Sequence, residues 1–199
     1  VQGGPQDRWG MFSYPLFERL KADLPEFEEL TAFQAGGARL SVRRQGVETS
    51  STPLRSEYVT GNYFSTLGVN AFGGRVFTAG DDTPASAPAV VMSHHTWQRT
   101  YGGDPSLIGA ILIVEGHAFT VVGVTPPGFF GDTLRGDPPD LWIPLHQEPL
   151  INGDTSILEQ PTSAWLRVIG RLRPDASTEG ISPRLTGILR QWMQHDSGY

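Results

Sequence analysis

The sequence predicts an α+β domain, because helical patterns and several successive strand patterns both occur along its 199 residues. Apolar and charged side chains alternate over 165–172, which predicts a strand. Two apolar runs, 110–114 and 118–124, flank Glu115-Gly116 and predict a hairpin. The most regular helical pattern is an apolar stripe near the end of the chain, formed by Ile181, Leu185, Ile188, Leu189, Trp192 and Met193. We expect this last helix to begin with Ser182 as N-cap and Pro183 as its first residue.

Near the start of the chain, Ser13 and Pro15 predict the first turn of a helix. Phe17 and Leu20 face inward in this helix, which should end where Leu24 precedes a proline. Segment 29–59 changes to strand patterns, with a turn at Gln45-Gly46 that leads into a long strand from Val47. The N-terminal part therefore combines one helix with at least two strands.

A short helical turn is predicted over 60–68, with Thr60 as its cap and a left-handed Gly68 at its end. Further along, the apolar run 89–92 predicts a buried strand, and Ser93 should cap the helix that follows it. Run 141–145 contains Pro144, which favours an edge strand. Segment 146–162 has no period and is interpreted as a mobile connector.

Composition excludes several classes of function. The net charge of −6 argues against nucleic-acid binding, since phosphate contacts need a basic surface. The absence of cysteine excludes disulfides, thiolate nucleophiles and cysteine-ligated metals. The chain has no stretch of about 18 apolar residues that could span a membrane. It begins with neither Met nor a signal peptide, so we expect a fragment or a processed form.

No catalytic, cofactor or metal site is predicted. Phosphate-loop, dinucleotide and hydrolase signatures are missing from the sequence, so ATP binding is not expected. His94 and His95 are adjacent on a helix, where side chains point about 100° apart and do not converge on one ion. Asp81-Asp82 is interpreted as an exposed acidic turn. The remaining histidines, His117, His146 and His195, are interpreted as isolated.

Phe129 and Phe130 are the one pair of residues singled out as a candidate contact surface. They are adjacent in a Pro/Gly-rich loop, where two bulky rings cannot easily both be buried. One interpretation is that one ring packs inward and the other stays partly exposed. The alternative is a hydrophobic contact with a partner or the bilayer.

Several segments, taken in order, resemble the MacB-like periplasmic core domain of ABC-type permeases of the macrolide-exporter and FtsX-like kind. The resemblance covers about residues 13–194 and is closest to orphan permeases that are encoded without an attached ATPase. No single segment is diagnostic. The matching segments are VTGNYFSTLGV at 59–69, GRVFT at 74–78, VVMSHHTWQR at 90–99 with YGGDPSLIG at 101–109, FTVVGVTPPGF at 119–129, DLWIPL at 140–145 and GRLRP at 170–174.

This resemblance implies a two-lobed fold. Residues 1–70 and 162–199 would form a porter-like lobe of βαβ type from both chain ends, and 71–161 would form an inserted mixed α/β lobe. If so, strand 165–172 should pair with strands from 29–59, and the last helix should lie on the same sheet face as the first. Leu189 would then be buried.

The resemblance also implies a non-enzymatic function, in which the domain couples motion of membrane helices to export or to activation of a partner. It implies no cofactor, and a location on the periplasmic face of the bacterial inner membrane. Its partners would be the permease's own membrane helices, an ATPase subunit on the cytoplasmic side, and an adaptor or lipoprotein; the isolated domain is expected to be a monomer. Two alternatives stay open: a periplasmic ligand-binding or sensor module, and a hydrolase with an unmarked site.

Overall fold

The computed structural model describes residues 10–47, 50–134, 136–177 and 179–196. It is a mixed helix and sheet structure, which confirms the predicted α+β class. No described helix is long and apolar enough to cross a bilayer. The described α-helices are α1 (Tyr14–Asp23), α2 (Tyr63–Thr66), α3 (His94–Tyr101), α4 (Glu148–Asn152) and α5 (Ile181–Gln191). The described strands are β1 (Phe27–Gln34), β2 (Ala38–Arg44), β3 (Thr52–Val59), β4 (Gly73–Gly74), β5 (Ala89–Met92), β6 (Ile111–Val114), β7 (His117–Val124), β8 (Leu141–Pro144) and β9 (Leu166–Leu172).

The described strands form one continuous sheet. Neighbours follow the order β2-β6-β7-β5-β8-β3-β1-β9, with β4 beside β7. Strands β2 and β3 also pair with each other, so the pairings from β2 through β6, β7, β5, β8 and β3 close into a ring of six strands. Strands β1 and β9 extend from this ring and carry the two ends of the chain.

Strands β1 and β2 are two halves of one bent strand that runs antiparallel to β3. Phe33 pairs with Val59 in the first half, and Ala38 pairs with Ser56 in the second. Gly36 has a φ of +87° at the bend between them, a conformation that L side chains rarely adopt. The bend lets β1 pair with β9 while β2 pairs with β6. It thereby joins the ring to the strands of the chain ends.

The N-terminal and C-terminal elements of the described chain meet on one part of the structure, which we call the terminal platform and define as α1, β1, β9 and α5. Strand β9 pairs antiparallel with β1, from Leu166 opposite Gln34 to Leu172 opposite Phe27. Helix α5 packs against α1 through a cluster that contains Leu20 and Ile188. The strand contacts confirm the expected pairing of 165–172 with a strand from 29–59. The last helix packs beside the first, and their placement on one sheet face stays a prediction. The buried residue of α5 is Ile188, whereas Leu189 is half-buried, contrary to expectation.

Local sequence signals set the ends of two helices as predicted. The Ser13 hydroxyl accepts a hydrogen bond from the Leu16 amide at the start of α1. Ser93 caps α3 in the same way, accepting from the Thr96 amide at 3.1 Å. At the end of α3, Gly102 adopts the left-handed conformation that closes many helices. The hairpin is also confirmed, with β6 and β7 joined across Glu115-Gly116.

Two predicted N-caps are wrong. Thr60 does not cap α2, because its hydroxyl contacts the Thr31 hydroxyl at 2.6 Å and accepts from the Ala32 amide at 3.2 Å. Helix α5 begins at Ile181 after Gly180, so Ser182 is inside the helix and Pro183 is its third residue. A proline is accommodated there because the first four amides of a helix have no acceptor within it.

The strand expected from Val47 begins later, since β3 starts at Thr52 and Val47 lies in an exposed bend. Residues 48 and 49, within the predicted strand, lie outside the described part of the chain.

The prediction of an edge strand at 141–145 is wrong, because β8 is central in the sheet. It pairs with β3 in parallel and with β5 in antiparallel orientation. Pro144 is the last residue of β8, and the pairing with β5 extends only over Leu141 and Trp142. The missing amide of Pro144 therefore removes no hydrogen bond to β5, and the proline does not force the strand to an edge.

Segment 146–162 is not a connector without regular structure. It contains α4 and a 3-10 turn at Gly153–Thr155, and Leu158 is buried in the main core. The buried carboxylate of Glu148 organises the segment by accepting hydrogen bonds from the Asn152 side chain at 2.7 Å and the Ile157 amide at 3.1 Å. The order in this segment comes from a polar side chain, which hydrophobic periodicity does not report.

Candidate functional site

A cleft of about 380 Å³ lies between α1 and two loops from distant parts of the chain. Helix α1 contributes Tyr14 and Glu18, and His146 closes the cleft from the segment after β8. The remaining lining residues are Phe17, Lys21, Thr60, Gly61, Asn62, Ala79, Asp82, Thr83 and Pro84. The cleft is therefore built where the first helix meets the middle of the chain.

Three side chains form a hydrogen-bonded chain in this cleft, which we call the His146 network and define as Tyr14, His146 and Asp82. Nδ1 of His146 lies 2.9 Å from Oδ1 of Asp82. On the other side of the ring, Nε2 of His146 lies 3.2 Å from the hydroxyl of Tyr14. The Asp82 and His146 side chains are only 7% and 15% exposed. These contacts join residues that are 64 and 132 positions apart in the sequence.

Asp82 fixes the backbone around the cleft as well as the histidine ring. Its two carboxylate oxygens accept from the Gly61 amide at 3.0 Å and from the His146 amide at 2.9 Å. Gly61 is closely packed, since a Cβ at this position would lie 2.4 Å from the carbonyl oxygen of Thr78. One carboxylate thus connects the turn before α2, the loop before β5 and the segment after β8.

The environment of the network favours a charged histidine and a neutral tyrosine. The hydrogen bond to Asp82 raises the pKa of His146, and the charges of Asp82, Glu159 and Glu18 act in the same direction; partial burial of the ring opposes them. Burial raises the pKa of the Tyr14 hydroxyl, and the same three carboxylates raise it further. Tyr14 therefore keeps its proton while His146 titrates.

The sequence interpretation missed this network. Asp82 was expected in an exposed turn, but its side chain is buried and bonded. His146 was expected to be isolated, but it contacts both Asp82 and Tyr14. Asp81 is not an exposed turn residue either, since its side chain is 12% exposed, accepts from the Thr78 amide in the capping box of the 3-10 turn Ala79–Asp81 and pairs with Arg75. No local signal in the sequence links Asp82 to His146, because the contact depends on the order of strands in the sheet.

The histidines considered as metal ligands have other surroundings. His94 packs its ring against Phe72 at 4.9 Å and Trp97 at 5.5 Å, while His95 lies near Arg99 on the exposed side of α3. Within 10–47, 50–134, 136–177 and 179–196, no three His, Asp or Glu side chains are grouped so that they could hold a metal ion.

Within the loop after β7, the two predicted contact residues have different surroundings. Phe129 turns inward and packs against Phe64 and Trp142, with ring centroids 5.9 and 5.3 Å away. Phe130 is 38% exposed, and Leu134 in the same loop is 85% exposed. One ring is thus tucked in and the other partly exposed, as in the first interpretation. A partner contact at this loop stays a prediction, and the exposed side chains that could make it are Phe130 and Leu134.

Comparison with known proteins agrees with this architecture. The solved periplasmic region of MacB from Actinobacillus actinomycetemcomitans is similar over 96% of this chain and 81% of its own, with a TM-score of 0.66 and 16% identity. The extracellular domain of the noncanonic ABC-type transporter YknZ from Gram-positive bacteria is similar over 87% of this chain and 78% of its own, with a TM-score of 0.60 and 16% identity. A comparison with curated proteins gave no match. The family model described as MacB-like periplasmic core domain matches residues 1–188, so the chain belongs to this family of ABC-type permease domains.

Proposed function

We propose that the chain is the part of an ABC-type permease that transmits the motion of membrane helices to the periplasmic side, where it drives export or activates a partner. The observation that carries this proposal is the terminal platform. Helix α1 and helix α5, the first and last described α-helices, pack on each other, and β1 and β9 pair along their length. Membrane helices attached at the two ends would therefore act on one body.

Contacts inside the terminal platform favour its movement as a unit. Beyond the strand pairing, the Arg173 amide donates to the Glu26 carbonyl at 2.9 Å, and the Arg184 guanidinium pairs with the Glu26 carboxylate. Arg173 also donates from its side chain to the Pro25 carbonyl. These bonds connect the start of β1 with the end of β9 and with α5. A force applied at either end thus reaches the same sheet.

The division into a lobe of 1–70 with 162–199 and an inserted lobe of 71–161 is part of the same proposal. Two strand pairs cross this division, β3 with β8 and β2 with β6. Hydrogen-bonded strands transmit displacement more directly than a flexible linker would. Rotation of the terminal platform would therefore be passed to the ring of strands and to the loop that carries Phe130.

The proposed partners are the permease's own membrane helices, which anchor the domain to the inner membrane, an ATPase subunit on the cytoplasmic side, and an adaptor or lipoprotein at the exposed loop. We assign no catalytic role to the domain. Coupling of this kind requires the domain to make different contacts in two arrangements of the membrane helices. It does not require a reacting group in the domain.

Uncoupling the domain from the chain that follows it tests the proposal. In the parent permease, a flexible Gly/Ser segment inserted directly after Asp196 is expected to reduce transport, or partner activation, close to background. The same segment inserted in the exposed turn at Gln45-Gly46 is the matched control and should leave activity largely intact. ATP hydrolysis by the partner subunit is measured in parallel. Full transport with the insertion after Asp196, in a protein that is normally folded and inserted, would contradict the proposal.

The cleft at the His146 network supports a second candidate, a ligand-binding or sensor module. It combines a concave volume of about 380 Å³ with convergent polar groups, as binding sites do. A ligand that binds only the folded state would raise the melting temperature, by an amount that grows with the logarithm of the ligand concentration above Kd. Screening peptides, lipids and antibiotics by thermal shift, with Glu18→Ala as the site variant, distinguishes this candidate from a purely mechanical role.

A further inference from the structure

We propose that the His146 network is a pH-sensitive latch that holds α1 against the loop before β5. The proposal concerns the 199-residue chain itself and does not depend on the proposed transport function. Tyr14 is the first residue of α1, and Asp82 follows the 3-10 turn Ala79–Asp81. His146 lies between them and contacts both side chains. The three residues therefore connect the first helix with a loop in the middle of the chain.

The hydrogen bonds of the latch can form in both protonation states of His146, but their charge differs. Nδ1 faces a carboxylate oxygen that also accepts from the His146 amide, so Nδ1 carries a proton in either state. In neutral histidine, Nε2 accepts from the Tyr14 hydroxyl. In protonated histidine, Nε2–H donates to the same oxygen, and the contact with Asp82 becomes an ion pair. Protonation therefore strengthens the latch without rearranging it.

The groups around His146 favour the strengthened state. Asp82 contacts the ring directly, Glu18 of α1 and Glu159 of the segment after α4 add negative potential, and Lys21 of α1 lines the same cleft. Among the described residues around the ring, these three carboxylates outnumber the single cation Lys21, so the local field stabilises an imidazolium. Because the Asp82 side chain is nearly buried, this interaction is less screened than a surface ion pair.

The direction of the pH effect follows from linkage. Contact with Asp82 raises the pKa of His146 in the folded protein above its value in the unfolded chain. The charged contact therefore contributes its full stabilisation below the ordinary histidine pKa of about 6.5. That contribution is lost as the pH rises through the higher, folded-state pKa. The latch is thus strong in mildly acidic solution and weaker in alkaline solution.

Titration of the imidazole resonances by NMR tests the first part of the proposal. In the wild-type chain, the midpoint of His146 is expected to lie at a higher pH than in the Asp82→Asn variant, because the contact with Asp82 raises the pKa of His146. Equal midpoints in the two proteins would overturn the latch.

Thermal unfolding at two pH values tests the second part. We expect His146→Gln to lower the melting temperature more at about pH 5.5 than at about pH 8.5, on either side of the ordinary histidine pKa. His95→Gln is the matched control and should show no such difference. Tyr14→Phe removes one bond of the latch, and Tyr58→Phe, which removes a buried hydroxyl with no hydrogen-bond partner among the described residues, is its control.

Hydrogen exchange locates the effect and keeps the proposal testable if a variant fails to fold. In the wild-type chain, the protection factors of the Gly61 and His146 amides, which both donate to Asp82, should fall between about pH 5.5 and about pH 8.5. Amides of α3 serve as the internal reference. Equal changes at the latch and in α3, or equal destabilisation by His146→Gln at both pH values, would show that His146 has only a structural role.

Discussion

Replacing Phe64 with alanine is expected to lower the free energy of unfolding by about 3–5 kcal/mol, the usual range for a buried phenylalanine. The Phe64 side chain is 0% exposed and belongs to a core cluster that also contains Phe33, Val59 and Val91. Four rings surround it, those of Tyr63, Phe77, Phe129 and Trp142, with centroids between 5.3 and 5.9 Å away. Because four rings border this position, we expect the cavity left by the alanine substitution to close only partly.

Phe130→Ala is the matched control for Phe64→Ala, because it makes the same chemical change at a ring that is 38% exposed. Its effect on unfolding in denaturant should stay within about 1 kcal/mol. Since Phe129 loses a packing partner in the Phe64 variant, the loop after β7 should also become more sensitive to proteolysis. Equal effects of the two substitutions would mean that the cluster around Phe64 does not stabilise the domain as its burial indicates.

The features that the sequence predicts correctly have local determinants. Ser13 and Ser93 cap their helices because the acceptor and the amide it binds are three residues apart. The β6–β7 hairpin follows from its turn, in which Glu115 and Gly116 both have positive φ. Such features depend on a few neighbouring residues, so the pattern alone contains the information.

The errors occur where a long-range partner decides the outcome. The Thr60 hydroxyl binds β1 instead of capping α2, because Thr31 and Ala32 are brought beside it by the fold. The position of β8 within the sheet depends on β3 and β5, and the proline in its sequence carries no information about either.

The candidate site depends on partners that are distant in the sequence even more than β8 or Thr60 does. Asp82 and His146 are ordinary loop residues when considered one at a time, and only the packed sheet brings them together with Tyr14. The resemblance to a family implies a two-lobed arrangement and a non-enzymatic domain, and neither of these points to the cleft that contains these residues.

Helix α5 is expected to depend on one side chain more than on the rest of its apolar stripe. Replacing Ile188 with alanine should lower the free energy of unfolding by about 2–4 kcal/mol, because Ile188 is 8% exposed and packs among Leu16, Leu20 and Leu24. Leu189→Ala should cost less, since Leu189 is only half-buried. Chemical denaturation monitored by circular dichroism measures both changes.

Leu134→Ala is the reference substitution for the Ile188 experiment, because Leu134 is 85% exposed and its truncation should change stability by no more than about 0.5 kcal/mol. A helix of eleven residues is marginal in water without tertiary contacts. If the Ile188 contact holds α5 on α1, its loss should therefore expose the α5 amides to hydrogen exchange before the ring of strands opens. Loss of protection at the same rate throughout the domain would instead mean that α5 unfolds only with the ring. If Ile188→Ala left the global stability unchanged, the packing of α5 on α1 would not hold the terminal platform together. The proposed coupling of the two chain ends would then lose its structural basis.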